Sequence, residues 1–343
     1  MGLTINFFNL NLHDRAVQSK FGAVYQSFFN ALVEQGCNVV YSADVPSTEA
    51  DILIVPMGGG QEYSSLRAIN CFTGPVILYV PPADSWFDHR LLNVLCEKVL
   101  FAYGPDASSF SKEKYGEVRI SYHYFPFASD PRVMKPLNIP RQYDVVFVGS
   151  LEHAPRRSKF LKPLMEALGS RPILCVGSGW QKYGMPEQLV AWGPVLNVIY
   201  NLGNVCINIH ASSQVKGPDK QIDLNNRVFD LAMAGCCQVC DNSEAVRLCF
   251  GNDEVASAQE PHEWVERVLF LLDHPAEAEA LRHKALRRAQ SDHTWSQRAS
   301  EFIKIIEPKH TNWKSEGIKT VRPHLGMVFA EIKRRVKSKI RAG

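Results

Sequence analysis

Two successive series of alternating strand and helix patterns predict an α/β protein made of two Rossmann-like, doubly wound domains that face a cleft. The predicted strands are short apolar runs with little polar alternation, which is typical of parallel strands covered on both faces. In the first series they are TINFFNL, CNVVYS, DILIVP, PVILYVPP, KVLFAYG and RISYHYFPF, with a helix over 16–34. The stretch SDPRVMKPLNIPRQ, with three prolines, follows as a predicted linker.

The same alternation begins again after the linker. Its predicted strands are YDVVFVGS, RPILCVGSG, QLVAWGPV, NVCINIH, CQVCDN and DEVASA, and its predicted helices are 159–168, 226–234, HEWVERVLFLLDHP, AEAEALRHKALRRAQSDH and TWSQRASEFIKIIEP. A chain of 343 residues is long for one hydrophobic core. We therefore predict domains over 1–139 and 140–306 and a basic helical tail over 307–343. In open sheets of this kind ligands bind beyond the carboxyl ends of the strands, so the cleft is the predicted site.

Composition predicts a globular cytoplasmic protein. Hydrophobic residues make up 45% of the chain and charged residues 21%, as in ordinary soluble domains. The N-terminal apolar run has no basic region before it and is broken by asparagines, which argues against a secretory signal. We find no apolar run long enough to span a bilayer. Nine cysteines, mostly inside apolar runs, are expected to be reduced and buried.

Positive charge is concentrated at the C-terminal end. Residues Pro308–Gly343 hold ten Lys or Arg and two Glu, a net charge of +8, so the rest of the chain carries −5 of the total of +3. Residues 327–341 predict a basic amphipathic helix that can lie on an anionic membrane surface. Packing against the first domain, or a frayed soluble end, are the alternatives. Because no DNA- or RNA-binding signature accompanies this charge, we predict no nucleic-acid partner.

The segment NNRVFDLAMAG predicts a short helix with an unusual first turn. Asn225 or Asn226 can cap this helix, Asp230 lies one turn further on, and Gly235 offers a left-handed stop. Arg227 places a cation where the helix dipole favours negative charge, so an anion is expected there. The alternative is that Arg227 pairs with Asp223 or Asp230.

Two other segments follow predicted strands and are rich in glycine or in groups that bind anions. In VFVGSLEHAPRR, the candidates for holding a phosphate are Gly149, Ser150, Arg156 and Arg157, through backbone N–H groups and guanidinium groups. The alternative is a tight turn beside two solvated arginines. The run VGSGW, residues 177–180 and the valine before them, fails the dinucleotide fingerprint and is predicted to be a turn.

The order of these motifs resembles the C-terminal half of GT-B glycosyltransferases, and most closely the CgeB-like (spore-maturation-protein-like) group. The resemblance rests on VFVGSL with its two arginines, INIH, NNRVFDLAMAG, CQVCDN and the helices that follow, over about residues 143–306. The first half is similar mainly in architecture. The resemblance implies transfer of a sugar from a nucleotide-sugar donor, held by the second domain, to an acceptor on the first domain's side, such as a lipid-linked or cell-surface glycan.

It also implies roles for particular residues. Arg227, Gly149, Ser150 and either Arg156 or Arg157 would meet the donor diphosphate, and His210 and Asn226 complete the predicted donor site. Asp230 stands where the family carries a Glu that binds the nucleotide ribose. The second Glu of many retaining members, eight positions earlier, is Ile222 here, so the stereochemical outcome stays open.

The predicted catalytic base comes from the first domain. Asp84 follows the strand PVILYV, with His89 and His123 behind it, and a carboxylate or imidazole there would take the acceptor's proton if the reaction inverts the anomeric centre. Asp84 as a helix cap is the alternative.

No metal and no cofactor are predicted. Asp-x-Asp does not occur in the sequence, so arginines and helix N-termini are expected to neutralise the leaving diphosphate. Two other functions stay open: a nucleotide-sugar epimerase of the same architecture, and a nucleotide-binding protein without catalysis. A peripheral position on the inner face of the plasma membrane is compatible with the basic tail.

Overall fold

The computed structural model describes residues 2–8, 23–56, 62–80, 89–107, 117–151, 155–185, 193–210 and 224–313, with positions 320, 328, 329 and 332. The chain divides into two compact units, which are described separately. Unit 1 comprises Met1–Pro126, Val215–Asp223 and Arg298–Gly343, and unit 2 comprises Phe127–Gln214 and Leu224–Gln297. The predicted domain boundaries stay predictions.

Unit 1 is built on a parallel sheet with the strand order β2-β1-β3-β4-β5-β6. The strands are β1 Thr4–Phe8, β2 Asn38–Ser42, β3 Ile52–Pro56, β4 Val76–Tyr79, β5 Val99–Gly104 and β6 Tyr122–Tyr124. The helices are α1 Ala23–Glu34, α2 Glu62–Cys71 and α3 His89–Leu95. All six predicted strands are confirmed, because each is an apolar run with hydrogen-bonded neighbours on the sheet. The predicted helix over 16–34 is observed from Ala23, and its earlier residues lie outside the described part.

Unit 2 is built on a second parallel sheet with the order β11-β10-β9-β7-β8. Its strands are β7 Tyr143–Val148, β8 Ile173–Val176, β9 Gly203–Asn208, β10 Gln238–Cys240 and β11 Ala256–Ser257. Its helices are α4 Pro155–Leu168, α5 Pro194–Asn201, α6 Asn226–Met233, α7 Ser243–Cys249, α8 Pro261–Asp273 and α9 Pro275–Asp292, followed by α10 Trp295–Thr311, which ends in unit 1.

One predicted strand, QLVAWGPV, has a helical end in the structure. Most of QLVAWGPV lies outside the described residues, but its last two residues begin α5, a helix that the sequence pattern did not predict. Pro194 at the helix start and the buried Leu196 and Tyr200, four residues apart, show the helical face. Eight residues are too few for that period to be distinguished from a strand by pattern alone.

The last part of α10 completes the core of unit 1. The ring of Phe302 packs edge-on against Phe28, Tyr103 and Phe125, with centroid distances of 5.4, 4.9 and 5.6 Å. Edge-to-face packing at such distances is favourable for aromatic rings. This cluster holds the C-terminal half of α10 on the unit 1 sheet. In the described part of the chain, no helix has both the length and the apolar character needed to cross a membrane.

The five strands of unit 2 have the same order as the first five strands of unit 1, and the direction in which the chain crosses the sheet reverses between the first and third strands. In unit 2 these strands are β7 and β9, which are neighbours in the sheet. Connections from adjacent strands leave in opposite directions at such a point, and the crevice there is where doubly wound sheets bind ligands. The candidate site is therefore sought at the carboxyl ends of β7 and β9.

Helix α6 ends as the sequence predicts. Gly235 adopts a left-handed conformation with φ of 66°, and the N–H of Cys236 donates to the carbonyl of Leu231 at 2.9 Å. A Cβ atom on Gly235 would approach Cγ of Pro136 to 2.9 Å. Glycine is required here for two reasons, its positive φ and its missing side chain.

Replacement of Gly235 by Ala is therefore expected to cost about 2 kcal/mol of unfolding free energy, from left-handed strain and the clash together. Gly169→Ala is the matched control, because Gly169 has φ of 58° and no atom within 4 Å of the added Cβ. It should lose only about 1 kcal/mol. Urea unfolding of both variants measures the difference, and equal losses would show that the approach to Pro136 has no energetic effect.

Candidate functional site

Asn208, the last residue of β9, joins this strand to the start of α6. Its side chain is fully buried. Its amide exchanges two hydrogen bonds with the amide of Asn225, at 3.0 and 2.9 Å. Asn225 is the N-cap residue of α6, as predicted, but its side chain makes no capping hydrogen bond because it is engaged with Asn208. The first turn of α6 is thus fixed against the end of β9 without a side-chain cap.

Arg227 lies in that first turn and is half-buried. Its guanidinium donates to Oδ1 of Asn208 at 3.0 Å, and its charge acts on the nearby phenol of Tyr200 and lowers the pKa of that group against the larger effect of burial. Its Cζ lies 5.5 Å from the ring centroid of Phe147, on β7. The alternative pairing with Asp230 is not observed, since both Asp230 oxygens accept hydrogen bonds from other groups. Asp223 lies outside the described residues.

Arg157, near the start of α4, approaches the same aromatic ring. Its Cζ also lies 5.5 Å from the Phe147 centroid. Its guanidinium donates to the carbonyl of Ile209 at 3.1 Å and to the carbonyl of Ser150. Burial and the charge of Arg227 lower the pKa of Arg157 to about 9. Among the described residues, the hydrogen-bond partners of both guanidiniums are neutral oxygens, and the two cations repel each other.

Arg156 behaves differently from its neighbour. Its guanidinium forms an ion pair with the fully buried Asp241 and lies 4.7 Å from the ring centroid of Phe160. The alternative of two solvated arginines is therefore wrong, because Arg157 is 6% exposed and the Arg156 side chain 14%. Of the two arginines, Arg157 is the one that forms no ion pair with a described residue.

His210 follows β9 and is buried beside Asp241. Its Nδ1 lies 2.5 Å from Asp241 Oδ1, its backbone N–H donates to the same carboxylate, and its Nε2 accepts the N–H of Asn225 at 3.2 Å. Burial, then the charges of Arg227, Arg156 and Arg157, lower the pKa of His210 to about 3. The imidazole is therefore neutral, with its proton on Nδ1. Both ring nitrogens have partners within unit 2, and His210 links Asp241 to the start of α6.

One cluster in the described residues has the geometry of a metal site. The ligand atoms of His210, Cys240 and Asp241 lie within 4.8 Å of one another. The ion pair between Arg156 and Asp241 already uses the carboxylate. Three guanidiniums near His210 also make the cluster unfavourable for a cation.

Asp230 and Asn226 form a second polar group on α6. Oδ1 of Asp230 accepts from the hydroxyl of Ser129 at 2.7 Å, and Oδ2 accepts from Nδ2 of Asn226 at 2.5 Å. Burial raises the pKa of Asp230 to about 7. Oδ1 of Asn226 is buried and has no hydrogen-bond partner in the described residues.

Gly149 and Ser150 form the edge of the site together with the segment after β8. The N–H of Ser178 donates to Oγ of Ser150 at 3.0 Å, and the indole N–H of Trp180 donates to the carbonyl of Gly149 at 3.0 Å. A Cβ on Gly177 would lie 2.5 Å from that carbonyl. The sequence VGSGW, predicted as a turn, thus also holds the loop that follows β7. Its signal was two glycines around a serine directly after a strand.

Sequence reasoning missed several residues of this arrangement. They are Ser129, Tyr200, Asn208 and Asp241. Asn208 and Asp241 each stand at or directly after the end of a predicted strand, and a polar side chain at that position was the available signal. Ser129 and Tyr200 lie in a linker and in an unpredicted helix, where the pattern carries no such signal.

The predicted acceptor-side residues belong to unit 1. Asp84 lies outside the described residues, and so does the side chain of His89. His123 lies in β6, with its ring 5.1 Å from the ring of Phe101. Its Nε2 is buried without a hydrogen-bond partner among the described residues, and burial, with the charge of Lys309, lowers its pKa. The catalytic roles of Asp84 and His123 stay predictions.

The predicted membrane-binding helix, residues 327–341, lies outside the described part except for 328, 329 and 332. Phe329 and Ile332 are 66% and 52% exposed. The membrane contact stays a prediction.

Comparison with known proteins defines the class of fold. Sucrose-phosphate synthase from Thermosynechococcus elongatus superposes with a TM-score of 0.69 at 11% identity, over 89% of this chain and 98% of that one. T4 phage BGT in complex with UDP-glucose gives 0.56 at 15% identity, over 89% and 100%. A mutant of TarM from S. aureus in complex with UDP gives 0.55 at 6% identity, over 75% and 55%. The chain has the GT-B fold of these proteins, which confirms the predicted fold class.

A family model matches part of the chain. Residues 156–304 match a family described as glycosyl transferase-like. This segment contains Arg157, Asn208, His210 and the whole of α6. No curated protein sequence matches the chain. T4 phage BGT is also known in complex with UDP and Mn²⁺, at a TM-score of 0.57 and 13% identity.

The neutral His210 predicts a measurable pH dependence. An imidazole in the unfolded chain titrates near 6.5, whereas the folded pKa is about 3. Protons therefore bind the unfolded chain preferentially between these values, and the unfolding free energy falls as the pH drops below about 6.5. Between about pH 6.5 and 5, wild type should lose roughly 2 kcal/mol more than His210→Asn.

Asn is the chosen replacement because its amide can donate to Asp241 but does not titrate. Denaturant unfolding at a series of pH values provides the measurement. Asp230 contributes a slope of opposite sign, but it is present in both proteins and cancels in the comparison. Parallel pH profiles would contradict a neutral buried His210.

Proposed function

We propose that this protein is a glycosyltransferase that moves a sugar from a nucleotide-sugar donor to a hydroxyl-bearing acceptor. The observation that carries the proposal is the pair of guanidiniums of Arg157 and Arg227. The Cζ atom of each lies 5.5 Å from the ring centroid of Phe147, a residue of β7 in the GT-B fold. Their hydrogen-bond partners among the described residues are neutral. A diphosphate between or beside them would offset their mutual repulsion and accept charge-assisted hydrogen bonds.

The first turn of α6 adds to this electrostatic field. Because the Asn225 side chain does not cap the helix, the backbone N–H groups of the first turn are not bonded by it. These groups and the helix dipole favour an anion at the same end as Arg227. In the reaction the bond from the sugar's anomeric carbon to the diphosphate oxygen breaks, and negative charge grows on that oxygen. Fixed positive groups stabilise such a leaving group most when its charge is fully developed.

The remaining parts of the proposal rest on the sequence resemblance. The acceptor hydroxyl attacks the anomeric carbon, and Asp84 or His123 takes its proton. A hexose donor, a lipid-linked or cell-surface glycan acceptor and membership of the CgeB-like group are the finer proposals. The glycosyl transferase-like match over residues 156–304 and the UDP complexes of BGT and TarM support the donor class.

Replacement of Arg227 by Ala tests the donor site. Binding of UDP and other nucleoside diphosphates should weaken by about 10- to 100-fold, since hydrogen bonds to charged groups contribute about 1.5–3 kcal/mol. Arg171→Ala is the control, because Arg171 is an exposed cation in the same unit that pairs with Asp273. Isothermal titration and turnover of a panel of nucleotide sugars are the measurements.

The outcomes separate the competing functions. Equal affinities of wild type and Arg227→Ala, with no turnover of any donor, would overturn the proposal. Formation of an epimerised nucleotide sugar without acceptor would identify an epimerase. Tight binding without product in any assay would identify a non-catalytic binding protein.

We further propose that the reaction needs no metal ion. The cluster of His210, Cys240 and Asp241 is surrounded by three arginines, and the diphosphate charge is met by Arg157 and Arg227. Donor turnover is therefore expected to be unchanged by EDTA, and Mg²⁺ or Mn²⁺ should not raise it. Steady-state assays after exhaustive EDTA treatment provide the test, and loss of turnover that Mg²⁺ or Mn²⁺ restores would contradict metal independence.

A further inference from the structure

The described residues satisfy only part of the hydrogen-bonding capacity of the Asn226 side-chain amide. Its Nδ2 donates to Asp230 at 2.5 Å, whereas its Oδ1 is buried and accepts no hydrogen bond from the described residues. Buried side-chain acceptors almost always have a partner, and one without a partner calls for an explanation. A ligand that brings a hydroxyl or N–H donor to this oxygen would supply the missing bond.

Asp230, one turn after Asn226, is already engaged within unit 2. Both of its oxygens already accept hydrogen bonds, from Ser129 at 2.7 Å and from Asn226 at 2.5 Å, and the residue is 8% exposed. Asp is also one methylene shorter than the Glu expected at this position from the sequence resemblance. The carboxylate is therefore held by Ser129 and Asn226, and the oxygen without a described partner is Oδ1 of Asn226.

Asp230 also determines which atom of the Asn226 amide is left without a partner. A half-turn of the amide would bring Oδ1 against Oδ2 of the Asp230 carboxylate, so that two acceptors would face each other. The observed orientation, with Nδ2 toward the carboxylate and Oδ1 away from it, is the favourable one. The hydroxyl of Ser129 holds the other oxygen of Asp230 and so supports this arrangement.

Asn226 immediately precedes Arg227, in the same uncapped first turn of α6. A nucleotide-sugar diphosphate bound at Arg227 has hydroxyl groups on both sides of its phosphates, on the ribose and on the sugar to be transferred. We infer that Oδ1 of Asn226 accepts a hydrogen bond from a hydroxyl of the bound nucleotide sugar, and that Asp230 and Ser129 are positioning residues that orient this amide. This inference rests on the proposed function.

The test compares ligands with and without the hydroxyl groups. Titrations of wild type, Asn226→Ala, Ser129→Ala and the control Arg171→Ala would use pyrophosphate, UDP, its 2′-deoxy and 3′-deoxy analogues, and UDP-glucose. The adenosine and guanosine series are measured in parallel. A thermal unfolding curve for each variant establishes that it is folded.

Wild type should bind one hydroxyl-bearing ligand about tenfold more tightly than its matched analogue, the size expected for one hydrogen bond. In Asn226→Ala this ratio should fall to about one, while pyrophosphate affinity stays within about twofold of wild type. Ser129→Ala should lower the ratio by a smaller factor. If Asn226→Ala removes the preference for a nucleotide over its deoxy analogue, the ribose supplies the hydroxyl. If it removes the preference for UDP-glucose over UDP, the transferred sugar supplies it.

Two results would overturn the inference. In the first, folded Asn226→Ala keeps the wild-type ratios for every pair of ligands. In the second, it loses pyrophosphate affinity to the same extent as nucleotide affinity, which would show a purely structural role. If wild type binds neither pyrophosphate nor any nucleotide, the proposed function itself fails, and this inference fails with it.

Discussion

The paired amides of Asn208 and Asn225 are the interaction on which the candidate site depends. These two side chains satisfy each other's polar groups at the junction of β9 and α6, where one is completely buried. The same Oδ1 of Asn208 also accepts from Arg227. Since a buried amide must find partners, the end of the strand, the start of the helix and the guanidinium are fixed together.

Among the described residues of the site, some charged groups form ion pairs and others do not. Asp241 forms an ion pair with Arg156 and accepts a hydrogen bond from the Nδ1–H of His210, so these three residues form a network that His210 joins to the start of α6. Arg157 and Arg227 remain beside Phe147, and their hydrogen-bond partners in the described part of the chain are neutral. Repulsion between like charges that are partly out of water is costly in a folded protein, and the proposed diphosphate site rests on this feature. The same repulsion disfavours a cation at the neighbouring His, Cys and Asp side chains.

The fold was predictable because its signals are local. The strands at the centre of each sheet, such as DILIVP and YDVVFVGS, are buried on both faces, so their composition alone marks them. The stop of α6 at Gly235 was equally readable, since only glycine adopts that backbone conformation without strain. Helix α5 was not predicted, because its eight residues show barely two helical turns and its apolar content also suits a strand.

The sequence by itself determined the α/β class, the two strand series and part of the candidate site, namely the polar residues at the start of α6 and the two arginines at the start of α4. Periodicity and composition act over a few residues, so they can be read without a structure. Only the tertiary structure decided the partners. It paired Arg156 with Asp241, left Arg157 beside Arg227, and turned Asp230 toward Ser129, a residue 101 positions away in the chain. Such partners meet across sequence distances over which no local pattern carries information, because burial and hydrogen-bond satisfaction in the folded chain select them.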